Sequence, residues 1–230
     1  MSYHRQPLEL AGGARALFTS RAEGNMSSIG GDGAHDGAHA RERLRTRIGV
    51  RALARGYQVH GATVTRIAEL PAQEADAAPA SADGQATALP GVAAMVLAGD
   101  CLPVALGTRG AVAMVHAGWR GLAAGVLAEG VRALRELAPD PRAGEIVAVI
   151  GPCAGACCYE VGEEVQRAFP GSRPGSRTID LRAIARDQLV AAGVDEVRDF
   201  GGCTICDERY FSHRREGARA GRQAGVAWLT

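Results

Sequence analysis

The chain has 230 residues, 47% of them hydrophobic and 22% charged, with a formal net charge of +1. That is enough for one domain with its own core, and it leaves no global field to draw the chain onto nucleic acid. No apolar run approaches the roughly 20 residues of a membrane helix, and MSYHRQPLEL lacks a basic region followed by an apolar stretch, so a soluble cytoplasmic protein with neither membrane nor nucleic-acid partners is expected.

Residues 1–16 read as a loosely ordered extension of a single domain spanning 1–230, and residues 17–20 as a short strand. Residues 23–39, rich in Gly, Ser, Asp and His, read as a loop. Residues 40–49 read as a short charged helix, with Leu44 and Ile48 on one face and Gly49 at its end. Val59, Val64 and Ile67 have a strand-like context with a bend at Gly61, and residues 71–87 read as a connector. Three nearly pure apolar runs, 92–101, 111–116 and 145–153, predict strands covered on both faces. Between them, Leu122, Val126, Leu127, Val131, Leu134 and Leu137 have helical spacing over 122–137. Helices are expected at 161–169 and 181–193, a strand and turn from Val194, a polar loop over 211–217, and a terminal strand over 226–230. With no repeat and no long linker, the fold class is mixed α and β in one domain.

All 26 basic residues are Arg. The absence of Lys excludes Schiff-base chemistry, a Lys-bearing phosphate loop and Ser-Lys hydrolysis. Six Cys in a chain of this size without an export signal read as reduced thiols. Of the six His, His4, His35 and His39 lie in polar segments. His116 closes an apolar run, Asp100-Cys101 closes another, and His60 sits before Gly61 where a strand can break. Such strand ends are where α/β domains place chemistry. His60, Cys101 and His116 together form a two-imidazole, one-thiolate set that suits Zn²⁺ and leaves a fourth position for water. The alternative is a small buried thiol and two satisfied core imidazoles, because the spacing matches no compact zinc motif.

QVHG (58–61), ADGQAT (82–87), GDCLPV (99–104), HAGWRG (116–121), GPCAGACCYEVG (151–162), the Cys203-Thr204 pair and FSHRR (211–215) follow one another in the order of a known family. From about Phe18 to Trp228 the sequence resembles the YfiH/YlmD family, long labelled multicopper polyphenol oxidoreductase or laccase-domain proteins. The resemblance implies a four-layer αββα sandwich and one zinc held through His60, Cys101 and His116. It also implies purine nucleoside phosphorolysis of adenosine, inosine and methylthioadenosine, with adenosine deaminase activity. An alternative name in the family, peptidoglycan editing factor, implies a zinc hydrolase of cell-wall precursors; a non-enzymatic module braced by zinc is the third reading. The sequence departs from the family pattern at Gly99, where Ala is usual, and at Gly24-Asn25-Met26-Ser27, where Leu-Asn-Leu-Gly is usual. Six His are too few for a blue copper plus a coupled copper cluster, although copper in place of zinc fits the affinity series.

Under the phosphorylase reading the partners are a small-molecule nucleoside and phosphate, and the chain is expected to be monomeric. Arg is the only long cation available, and it binds phosphate bidentately. Arg120 is the first candidate, followed by Arg214 and Arg215, then Arg21; a surface ion pair is the plain alternative for each. Asp100 either orients a zinc ligand, shuttles protons or forms a turn. Trp119 either stacks on a purine or fills core. Cys153, Cys157 and Cys158 either line the pocket or fill a tight turn, and Cys203-x-x-Cys206 has redox or half-zinc spacing.

Overall fold

Apolar runs long enough for a strand and bounded by polar turns dictate most of the architecture. The computed structural model describes residues 6–71, 80–139, 144–170 and 177–230. In chain order the elements are β1 (Leu8–Glu9), β2 (Arg15–Phe18), α1 (Gly37–Ile48), β3 (Ala52–Ala54), β4 (Val64–Ile67), β5 (Gly84–Thr87), β6 (Val92–Ala98), β7 (Leu102–Thr108) and β8 (Ala111–Ala117). They continue with α2 (Trp119–Ala123), α3 (Val126–Leu137), β9 (Val147–Ile150), α4 (Glu163–Ala168), α5 (Leu181–Ala191), β10 (Glu196–Asp199), α6 (His213–Glu216) and β11 (Gln223–Trp228). One sheet runs β1-β2-β11-β6-β3 and the other β10-β9-β7-β8-β5-β4.

The period-2 alternation of the strands sorts side chains into layers. On β6, Ala93 and Met95 pack with Ala40 and Leu44 of α1. Ala94 and Val96 face the other way, among Ala105, Val112, Met114 and Val147 of the second sheet. On β8, Ala113 and Val115 turn outward onto Leu127, Val131 and Leu134 of α3. The order is therefore α1, first sheet, second sheet, then α3 and α5: the αββα sandwich that the resemblance implied. Each fully buried Leu, Val or Met contributes about 1.5–3 kcal/mol to this arrangement.

Several elements differ from the sequence reading. The run 92–101 is not one strand: β6 ends at Ala98, Asp100 takes φ 101°, and the chain reverses into β7. Pro103 lies inside β7, opposite His116, with its carbonyl accepting from the Gly151 N–H at 2.8 Å. The single helix expected over 122–137 is two helices, because Gly125 adopts φ 82°, a left-handed conformation that glycine reaches without a Cβ clash, and caps α3. Residues 211–217 contain the short helix α6, started by Ser212, whose hydroxyl accepts from the Arg215 N–H. Of the connector 71–87, residues 72–79 lie outside the described residues and Gly84–Thr87 is β5. Residues 1–5 of the expected extension also lie outside; Leu8 and Glu9 pair with Ala16 and Arg15 at the sheet edge.

Candidate metal centre

Three elements bring the donors together. His116, 3% exposed, is the penultimate residue of β8. The antiparallel register of β7 on β8 sets Leu102 opposite Ala117, placing Cys101 beside the end of β8. Tyr57 bridges Ser81 and leads Val59-His60-Gly61 across Asp83, which immediately precedes β5. The donor atoms of His60, Cys101 and His116 all lie within 4.8 Å of one another, and the two imidazole rings meet edge to face at 5.0 Å. His60 is exposed, so the group opens to solvent on its side.

Asp83 organises both histidines. Its carboxylate is fully buried, and Oδ1 lies 2.8 Å from His116 Nδ1. The same carboxylate accepts backbone N–H bonds from Val59 at 3.2 Å, His60 at 2.9 Å and Gly61 at 2.7 Å. Occupying Nδ1 leaves Nε2 of His116 as its donor toward the group, the arrangement that orients metal-bound imidazoles. The three amides hold His60 at φ 60°, a left-handed conformation uncommon for a side-chain-bearing residue. Burial alone would raise the Asp83 carboxyl, but His116 and the Gly61 and Val59 amides outweigh it and hold it below its ordinary value. Gly118 completes the cradle: a Cβ there would lie 3.0 Å from His60 Cδ2 and 3.1 Å from Cys101 Sγ.

The electrostatics favour a deprotonated sulfur. Burial pushes the Cys101 thiol up, yet the charge and hydrogen bond of His116, with those of His60, bring it down to about 6. Burial likewise opposes charge on His116, but Cys101 and Asp83 raise it to about 9. A thiolate and two imidazoles form a donor set that fits Zn²⁺. Among the described residues, no fourth His, Cys, Asp or Glu donor joins the three, whereas a closed structural zinc would need one. Cys153 lies elsewhere: Arg182 Nε donates to its sulfur at 3.0 Å, and burial pushes its thiol up to about 12.

The remaining candidates separate by what their side chains touch. Both oxygens of Asp100 are engaged, Oδ1 by the Thr204 hydroxyl and Oδ2 by the Arg214 N–H, each at 2.7 Å. Its carbonyl accepts from the Ala154 N–H at 2.8 Å, so Asp100 positions Cys101 by anchoring the turn before it. Arg215 spends its guanidinium on the carbonyls of Thr204, Ile205 and Tyr210 and on Glu216. Arg21 bonds the Glu208 and Tyr210 carbonyls and Glu216, and stacks on Phe211. The donors of these two arginines thus bond groups of the chain itself. Arg214 lies over the Tyr159 ring at 4.7 Å and gives one bond to the Glu160 carbonyl. Arg120 is exposed, lies 4.1 Å over Trp119 and reaches Glu164 only at 3.5 Å. Trp119 packs at the edge of the core and is half-buried. Burial first, then the charge of Cys101, raises the Tyr159 phenol, and the Arg214 N–H ties its segment to Asp100, the residue before Cys101. Sequence reasoning assigned no role to Asp83, Gly118 or Tyr159. The only signal for Asp83 was an acid in ADGQAT directly ahead of a short strand.

Known proteins resemble this chain over nearly its whole length. Residues 11–230 match the family model described as multi-copper polyphenol oxidoreductase laccase. A Xylella fastidiosa protein named purine nucleoside phosphorylase is 39% identical, covering 90% of this chain and 84% of its own. A Corynebacterium glutamicum protein of the same name is 37% identical, covering 94% of each. Among solved structures, a Neisseria meningitidis protein superposes with a TM-score of 0.81 at 31% identity, covering 98% of this chain and 99% of its own. YlmD from Geobacillus stearothermophilus gives 0.81 at 30% identity, covering 94% and 92%.

Proposed function

This chain belongs to the multi-copper polyphenol oxidoreductase laccase family, and on that premise we propose that it is a zinc-dependent purine nucleoside phosphorylase of the cytoplasm. Its substrates are adenosine, inosine and methylthioadenosine, and adenosine deamination is a second activity of the same centre. The observation that carries the reading is the solvent-facing group of His60, Cys101 and His116, three donors organised by one buried carboxylate. The name shared by the relatives supports the substrate class.

His60, Cys101 and His116 would hold the ion. A zinc ion there, or copper in its place, would supply Lewis acidity and lower the pKa of water toward neutral. Asp83 fixes the tautomer of His116 and the position of His60, so that the donors are set before substrate arrives. Arg214 holds phosphate: its guanidinium makes one bond to a carbonyl and retains further donors for a bidentate anion contact, with Tyr159 supporting its plane. Arg120 is the second anion contact, on the helix that leaves His116. Half-exposed Val59, adjacent to His60, offers an apolar ledge to the base. Laccase-type copper chemistry lacks ligands among the described residues. His35 and His39 neighbour Asp36 at the start of α1, and His213 bonds the Gly217 carbonyl.

The test is phosphate-dependent release of hypoxanthine from inosine by protein carrying stoichiometric zinc at the three-donor centre. Release that follows phosphate concentration and is lost in His60→Ala supports the reading. No release, or wild-type rates in that variant, overturns it.

A further inference from the structure

Outside this centre, four of the remaining cysteines converge on one point. Cys157 and Cys158 lie in the turn after β9, and Cys203 and Cys206 in the turn after β10. The parallel pairing of β9 with β10 sets the turns side by side. It continues as a bridge between Cys153 and Cys203, with the Thr204 N–H donating to the Cys153 carbonyl at 3.0 Å. The sulfur atoms of Cys157, Cys158, Cys203 and Cys206 all lie within 4.8 Å of one another. Cys206 Sγ is 2.9 Å from Cys158 Sγ and 3.6 Å from Cys157 Sγ.

Two details make this more than a chance meeting of thiols. Cys203 Sγ accepts a backbone N–H from Gly155 at 3.2 Å and another from Cys206, three residues on. Amide donors of this kind stabilise thiolate charge. Gly155 also leaves the sulfurs their room: a Cβ there would lie 3.2 Å from Cys203 Cβ and 3.3 Å from Cys157 Sγ. Tetrahedral coordination with Zn–S near 2.3 Å needs sulfurs about 3.8 Å apart, and the four sulfurs here already lie within 4.8 Å of one another. Cys157 and Cys206 are exposed and provide an entry path for the ion.

We propose that Cys157, Cys158, Cys203 and Cys206 form a second, structural zinc site, separate from the His60, Cys101 and His116 centre. Binding forms four Zn–S bonds, sends the four thiol protons to solvent, and needs neither oxidant nor reductant. Closed by four protein ligands, the ion braces rather than catalyses. Both turns that it joins also hold Asp100: Ala154 through the Asp100 carbonyl and Thr204 through its carboxylate. The second ion thus stiffens the support beneath Cys101.

The experiment uses the full chain, purified under reducing conditions, loaded with Zn²⁺ alone and desalted. Two zinc ions per chain are expected, falling to one in the double variant Cys203→Ser/Cys206→Ser and to one in His60→Ala/His116→Ala. With Co²⁺ in place of zinc, the ion left in the histidine variant should show the intense sulfur charge-transfer absorption of four thiolates. Should either variant fail to fold, wild type alone decides: stoichiometric zinc must shield five thiols from a disulfide reagent, the four of this cluster and Cys101, and a chelator must expose them. A single zinc per reduced wild-type chain that the cysteine variant retains, two zinc ions in the cysteine variant, or an intact mass lowered by paired disulfides overturns the proposal; a single zinc that the cysteine variant loses upholds it and counts against the three-donor centre instead.

Discussion

Asp83 is a fully buried carboxylate facing one imidazole and three amides, and its value lies in what it aligns. Asp83→Asn keeps the shape but replaces one acceptor oxygen by a donor, so it opposes either the amides or His116 Nδ1. Zinc affinity should fall 10–100-fold, measured by competition with a chromophoric chelator; unchanged affinity would remove Asp83 from the centre. The arginines divide at this scale too. Arg214→Gln should raise KM for phosphate about tenfold, roughly 1.4 kcal/mol, and leave KM for inosine in place. Arg215→Gln should cost about 1–3 kcal/mol of stability by leaving the Thr204, Ile205 and Tyr210 carbonyls short of donors, with KM for phosphate unmoved. The coupled pair sets a pH signature for metal-free protein. Cys101 at about 6 lies below its ordinary 9.0, so its contribution is full above pH 9 and is lost as pH falls toward 6. His116 at about 9 lies above its ordinary 6.5, so its contribution is full below 6.5 and is lost as pH rises through 9. The slopes oppose between these limits, and Tm of the chelator-treated chain should be nearly flat there. In Cys101→Ser only the His116 slope, still sustained by Asp83, remains, and Tm should decline with rising pH; a flat profile in that variant would contradict the pairing.

Elements show where reading a sequence succeeds and where it stops. Three donors at strand ends were legible by residue type, since an imidazole or a thiol closing an apolar run has few other reasons to be there. Their meeting was implied by the family resemblance and not by spacing, because it depends on the antiparallel register of β7 on β8 and on a bridge from Tyr57 to Ser81, contacts between distant stretches of chain. β7 itself was hidden: apolarity continues through the reversal, and the turn rests on Asp100 at φ 101° instead of a familiar glycine. The break between α2 and α3 was hidden by a helical period that runs unbroken past Gly125. The partners of Asp83 are backbone amides, which no residue letter announces. At the start of α2, Gly118→Val should weaken zinc binding by crowding His60 and Cys101 while lowering Tm by only a few degrees. Isothermal titration beside thermal melts would test this, and wild-type affinity would show that the crowding is relieved elsewhere.

Across the whole molecule, mixed α and β in one domain was legible through the apolar runs and the helical spacing over 122–137, the four-layer sandwich through the family resemblance, and its two halves carry different duties. The layer between the sheets is plain packing, while the chemistry gathers at one end of the second sheet, where β5 begins and β8 finishes. Stripping metal with a chelator should therefore abolish phosphorolysis, with recovery on adding zinc, and leave the circular dichroism of the sheets intact. Loss of that spectrum on chelation would make the ion a folding requirement. Asp83's grip on three successive amides carries one last consequence. Val59, His60 and Gly61 belong to a surface stretch without regular secondary structure, whose amide hydrogens would ordinarily trade with deuterium within seconds. Here the three should trade slowly and at one shared rate, because a single carboxylate must let go of all of them at once. That shared rate is a clock for the opening of the centre, readable without any substrate.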